Sequence, residues 1–153
     1  MITVSAAKVM SGTAAQVWDV ITDWEGQRAW VPLTAVEVRS DQRTGVGTRC
    51  LAFSGWHLGP VSLGLPDHFV VIEWDPPHRL VVQHVGPAFV GDGVFELTER
   101  DGETHVRLTE HVLTPAGRAG DLALRITEPF VVAGMLHSLG RLAVRVEAAT
   151  AGV

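Results

Sequence analysis

From about residue 118 to 150, apolar residues return every three or four positions: Leu122, Ile126, Val132, Met135, Leu139, Leu142 and Val146. That spacing predicts one long amphipathic helix. His137, Arg141 and Arg145 fall at i, i+4 and i+8 and read as its solvated face. At about 1.5 Å per residue the helix reaches roughly 45 Å. Pro129 lies inside it, removes one backbone donor and is expected to bend or split it. No other stretch supplies a helix of equal length, so the apolar stripe calls for a broad sheet to lie across.

The preceding chain reads as that sheet. Residues 2–9 form a plausible first strand, and Ser11 or Thr13 is placed to cap a short helix whose apolar face is Ala14, Val17, Trp18 and Ile21. Asp23-Trp24-Glu25-Gly26 ends it, and a further short turn over Gln27 to Trp30 is expected before Pro32. Six strand-like segments follow, at 36–40, 48–53, 68–75, 80–85, 93–100 and 104–113. Turn chemistry separates them: Arg43-Thr44-Gly45, Asp75-Pro76-Pro77-His78, Gly86-Pro87 and Asp101-Gly102. Short separators favour antiparallel hairpins. The expected class is α+β, a curved antiparallel sheet of about seven strands around the terminal helix, bent near Pro129. Residues 54–67 carry three glycines and two prolines, yet also Trp56, Leu58, Val61, Leu63 and Leu65. They read as an apolar loop, expected at a cavity entrance with Trp56 or Leu58 facing the opening.

Composition narrows the function classes. A chain of 153 residues with 46% hydrophobic and 19% charged residues fits one domain with a large apolar interior. A net charge of −5, with Lys8 the only lysine, argues against a nucleic-acid surface. No apolar run is long enough for a membrane span, and no signal-peptide pattern opens the chain, so a soluble cytoplasmic protein is expected. Cys50 is the single cysteine and, without a partner base in sequence, reads as a buried inert thiol. The oligomeric state is left open.

The order of motifs resembles the START-like, or SRPBCC, superfamily with its helix-grip fold. The resemblance rests on Ala15-Gln16-Val17-Trp18-Asp19-Val20-Ile21, Asp23-Trp24, Trp30-Val31-Pro32 and Gly45-Val46-Gly47-Thr48. Further on it rests on Glu73-Trp74-Asp75-Pro76-Pro77-His78-Arg79-Leu80, Phe95-Glu96-Leu97 and Gly102-Glu103-Thr104-His105-Val106-Arg107-Leu108. It covers nearly the whole chain and is most similar to the bacterial polyketide cyclase/dehydrase group. It implies a deep, mostly apolar cavity between sheet and long helix that binds or converts a hydrophobic small molecule. The motifs are turn, cap and sheet residues, so the resemblance supplies no catalytic residue.

Candidate chemistry comes from strand parity, since alternate residues face opposite sides of a sheet. Val106, Leu108 and Val112 set a core-facing parity that includes Glu110; Leu80 and Val82 share theirs with His84. These two are the candidate catalytic groups, a carboxyl to act as acid or base and a histidine to polarise a carbonyl. The alternative for Glu110 is pairing with an arginine or exposure at an open sheet end. Ligand contacts are expected from Trp30, Trp56, Asp92, Phe95, Met135 and Leu139. Against that, the tryptophans also read as core, and Asp92, between Gly91 and Gly93, as a turn residue. No dinucleotide fingerprint, Walker loop, His-Glu-x-x-His or Gly-x-Ser-x-Gly is present, so no cofactor is expected. His105 and His111 share a strand face but stand about 20 Å apart at 3.3 Å per residue, so no metal site is expected. Three function classes remain: a cofactor-independent cyclase, aromatase or dehydratase; a carrier of a hydrophobic molecule; and a protein-interaction module.

Overall fold

Thr13 caps the first helix. Its hydroxyl accepts from the Gln16 backbone N–H while the Gln16 side chain accepts from the Thr13 N–H, a reciprocal capping box. Ala14, Val17, Trp18 and Ile21 are all buried, as their spacing predicts. The computed structural model describes residues 1–87, 89–113 and 117–152. In chain order they form β1 (Ile2–Ser11), α1 (Ala14–Thr22), a 3₁₀ segment (Glu25–Ala29), β2 (Thr34–Val38), β3 (Arg49–Leu58), β4 (Val61–Asp75), β5 (Arg79–Pro87), β6 (Val90–Arg100), β7 (Glu103–Val112) and α2 (Gly117–Ala151). The seven strands make one antiparallel sheet in the order β1-β7-β6-β5-β4-β3-β2. Only β1 leaves sequence order, crossing to pair with β7, so the sheet curls round α2 as a helix-grip fold.

Residues 54–67 are not a loop. β3 and β4 stay paired out to Leu58↔Val61, so the segment is a long hairpin turning at Gly59-Pro60. Gly55 and Gly64 face each other, and a Cβ on Gly55 would lie 2.1 Å from the Leu63 carbonyl oxygen. The glycines that looked like loop punctuation instead allow two backbones to close. Pro66 is tolerated because the β5 pairing reaches only to Asp67. Trp56, Val61, Leu63 and Leu65 are exposed on this hairpin. The Leu58 side chain lies outside the described ones.

α2 runs unbroken through Pro129. Its second half grips the sheet: Met135, Leu139, Leu142, Ala143 and Val146 are buried with β1 and α1 against them. Its first half does not, since Leu122, Ile126 and Phe130 are exposed. Of the seven expected stripe positions, Leu122 and Ile126 thus stay outside the core, and the length of the helix accounts for it. A helix of 35 residues spans about 52 Å at 1.5 Å per residue. β1, the strand it packs on, has ten residues and extends only about 33 Å. Leu139→Ala, at a fully buried position, is expected to cost about 2–5 kcal/mol in chemical denaturation. Leu122→Ala, at a position 60% exposed, should stay within about 0.5 kcal/mol. Equal losses would mean that the whole helix is core.

Candidate functional site

Three polar side chains from three strands converge on the inner face of the sheet. On β4, Asp67 shares the inward parity of Phe69 and Val71. On β5, His84 follows Leu80 and Val82 inward. On β7, Glu110 follows Thr104, Val106 and Leu108. The β4–β5 register slips between Asp67 and Phe69, a bulge beside the cluster of the kind that re-aims a side chain.

β5 and β7 are separated by β6, a backbone distance of about 9.6 Å. His84 and Glu110 meet because β6 supplies no side chain between them. Gly91 is the cross-strand partner of His84, and Gly93 that of Glu110. A Cβ on Gly93 would lie 3.1 Å from Glu110 Oε1, so the carboxyl rests directly over the glycine. His84 Nδ1 is 2.6 Å from Asp67 Oδ2, which fixes the imidazole ring and turns its other nitrogen toward Glu110. His84 Nε2 lies 3.6 Å from Glu110 Oε2, an ion-pair distance longer than a hydrogen bond.

Burial pushes the Glu110 carboxyl up to about 7; His84 works against this, and the charges of Asp67 and Asp92 reinforce it. For His84, burial opposes the imidazolium. The Asp67 hydrogen bond and the charges of Glu110, Asp67 and Asp92 outweigh it, and the pKa stands above its usual value. The two groups therefore face each other at ion-pair distance with both pKa values raised, Glu110 to about 7 and His84 above its ordinary value. The groups acting on Glu110 are this histidine and two carboxylates, not the arginine that sequence reading allowed.

The cluster forms one wall of a cavity of about 480 Å³ enclosed by the sheet, the 3₁₀ segment and α2. Phe69, Leu80, Val82, Phe95 and Leu108 line it from the sheet, Trp24 and Trp30 from the segment after α1, and Val131 and Met135 from α2. Of the residues singled out from sequence, the structure thus brings Glu110, His84, Trp30, Phe95 and Met135 together. Trp56 is 63% exposed on the hairpin, Leu139 is packed in the core, and Asp92 lies within β6 opposite Gln83 and His111 rather than in a turn. None of these three lines the cavity, though the Asp92 charge reaches the cluster.

Sequence reasoning missed Asp67, placed at the end of a supposed loop, and the two glycines. The signals were there: Asp67, Phe69 and Val71 alternate as a strand, and Gly91 and Gly93 stand two apart opposite the polar pair. Burial raises the Cys50 thiol to about 12, which leaves it inert at neutral pH. Among the described residues no three His, Cys, Asp or Glu side chains group as metal ligands, and no helix is long and apolar enough to cross a membrane.

Comparison with solved structures agrees with this architecture. A protein from Thermus thermophilus superposes with a TM-score of 0.75 at 19% identity, covering 97% of this chain and 99% of its own. A protein from Nitrosomonas europaea gives 0.74 at 16% identity over 98% and 97% of the two chains. The Zhui aromatase/cyclase from a Streptomyces species gives 0.73 at 17% identity over 95% and 93%. At such identities the likeness speaks for the fold. No curated protein matches the sequence. The family described as polyketide cyclase / dehydrase and lipid transport matches residues 1–147, and the chain belongs to it.

Proposed function

We propose that the cavity binds an apolar, carbonyl-bearing small molecule of the polyketide type and acts on it by general acid–base catalysis, as a cyclase, aromatase or dehydratase without a cofactor. One observation carries the reading: His84 Nε2 and Glu110 Oε2 stand 3.6 Å apart on one wall of an apolar cavity, with Asp67 anchoring the ring. A base is most effective near its own pKa, and the Glu110 value of about 7 suits neutral pH.

In the proposed reaction the Glu110 carboxylate takes a proton from the carbon next to a carbonyl, and the C–H electrons form the C=C bond of an enol. His84 Nε2–H gives its proton to the carbonyl oxygen. The enol carbon then attacks a second carbonyl of the same molecule. The new hydroxyl takes the proton held on Glu110, and the enol returns its own to His84. Removal of another α-proton by Glu110, with a proton from His84 to the departing hydroxyl, expels water. After the water leaves, the proton on Glu110 is lost to solvent and His84 takes one from solvent, which restores the starting pair; nothing is oxidised. The apolar walls hold the chain folded and exclude water.

The family description, and the aromatase/cyclase name of the Streptomyces neighbour, support this class. A second reading is favoured by the largely apolar lining and by the lipid transport half of the family description: a carrier that binds without turnover. Enolisation separates the two. With a naphthalene bearing an acetyl group at each end as probe, the protein in deuterium oxide should bind it and exchange its acetyl protons for deuterium, read by NMR. His84→Ala is expected to slow exchange by about 100-fold or more while the probe still binds. Binding with exchange at the solvent rate would leave the carrier.

A further inference from the structure

Buried indole N–H groups nearly always find an acceptor. Trp24 follows that rule, donating to the Arg43 carbonyl at 2.8 Å. Trp30 does not. It is only 2% exposed, lines the cavity and packs edge-on against Phe95, yet its Nε1–H has no acceptor among the described residues. An unmet buried donor is a standing cost that a folded chain keeps out of its core.

A second polar group belongs to the same corner. Ser138, on α2, is buried and lines the cavity. Helical hydroxyls commonly turn back to the carbonyl one turn earlier, as Thr22 does to Trp18 and Thr127 to Ala123. The Ser138 hydroxyl makes no such bond among the described residues. Arg141, one turn further along α2, donates to the Ala29 carbonyl at 3.0 Å and ties the helix to the chain beside Trp30. The two groups therefore sit where α2 meets the end of the 3₁₀ segment, whereas Asp67, His84 and Glu110 stand on the strands.

We propose that this corner is a second polar anchor, in which the Trp30 N–H and the Ser138 hydroxyl hold a ligand oxygen other than the one that meets the acid–base cluster. The cavity then selects apolar molecules oxygenated at both ends over acyl chains oxygenated at one. The inference rests on the cavity being the ligand site, but not on turnover.

Three probes of one shape test it by calorimetric titration: naphthalene with an acetyl group at each end, with one acetyl replaced by ethyl, and with both replaced. Wild type should bind the diketone about fivefold tighter than the monoketone, the worth of one neutral hydrogen bond. Trp30→Phe and Ser138→Ala should shrink that ratio toward one while leaving the monoketone's advantage over the diethyl compound. Ser138→Ala is the smaller change and decides the matter where Trp30→Phe does not fold. A diketone-to-monoketone ratio that is one in wild type, or unchanged in a folded variant, overturns the second anchor alone. Failure of all three probes to bind wild type overturns the cavity reading, and the anchor with it. Binding without deuterium exchange overturns the catalytic reading and leaves the anchor standing.

Discussion

Glu110→Gln is expected to abolish most of the deuterium exchange into the diacetyl probe, by roughly 100-fold or more, while the fold survives. The amide keeps the shape of the carboxyl over Gly93 but can neither accept nor return the α-proton. Its effect on stability has a sign that a structural carboxylate would not show. Glu110 titrates at about 7 in the folded chain against 4.5 as its ordinary value, so between those values the native state binds more protons than the unfolded one. His84 is raised as well, which adds protons to the native state above its ordinary value of 6.5. Stability must then fall as pH rises from about 4.5 through 7, by on the order of 3 kcal/mol from Glu110 at full effect. The variant lacks that slope. It should melt near wild type at pH 5 and above it at pH 8, and His84, having lost an anionic neighbour, should titrate lower. A variant destabilised equally at both pH values, with exchange intact, would make Glu110 a structural carboxylate and sink its assignment as the base.

The parity that singled out Glu110 was legible because β7 is long and regular, and a period of two needs no knowledge of neighbouring strands. The same argument worked for His84 despite the apolar run around it, since Leu80, Val82 and His84 keep one phase along β5. What the sequence could not convey was distance across the sheet. That His84 and Glu110 face each other depends on β6 lying between them in a register that sets Gly91 and Gly93 opposite the pair. Register is a property of the assembled sheet. Asp67 was hidden for a related reason. Glycine and proline at positions 55, 59, 60, 64 and 66 carry the marks of a loop, but facing glycines also let two strands close. For α2, periodicity gives the length of the apolar stripe and cannot say how much of it has sheet beneath, so it includes Leu122 and Ile126, which the structure leaves exposed.

Gly91→Ala should be among the most destabilising single changes in the molecule, costing about 3 kcal/mol or more, and Gly102→Ala serves as its control. Both glycines have positive φ, 150° at Gly91 and 78° at Gly102, which an L side chain rarely adopts. The backbone penalty alone is about 1 kcal/mol. The two differ in what surrounds them. Gly102 lies in the β6–β7 turn, and a Cβ there would meet nothing within 4 Å. At Gly91 a Cβ would stand 1.8 Å from the His111 carbonyl oxygen. Neither atom can be moved by rotating a side chain, so β6 must pull away from β7 where Gly91 pairs with Val112, two residues from the partner of Glu110. The change should therefore loosen the gap across which His84 and Glu110 meet, and deuterium exchange should fall with stability, whereas Gly102→Ala loses a little stability and keeps its exchange rate. The two variants are compared by denaturant unfolding and by exchange at a temperature where both are folded. If they lose the same stability, left-handed strain is the whole cost and the close approach of β6 to β7 does not hold the pair in place.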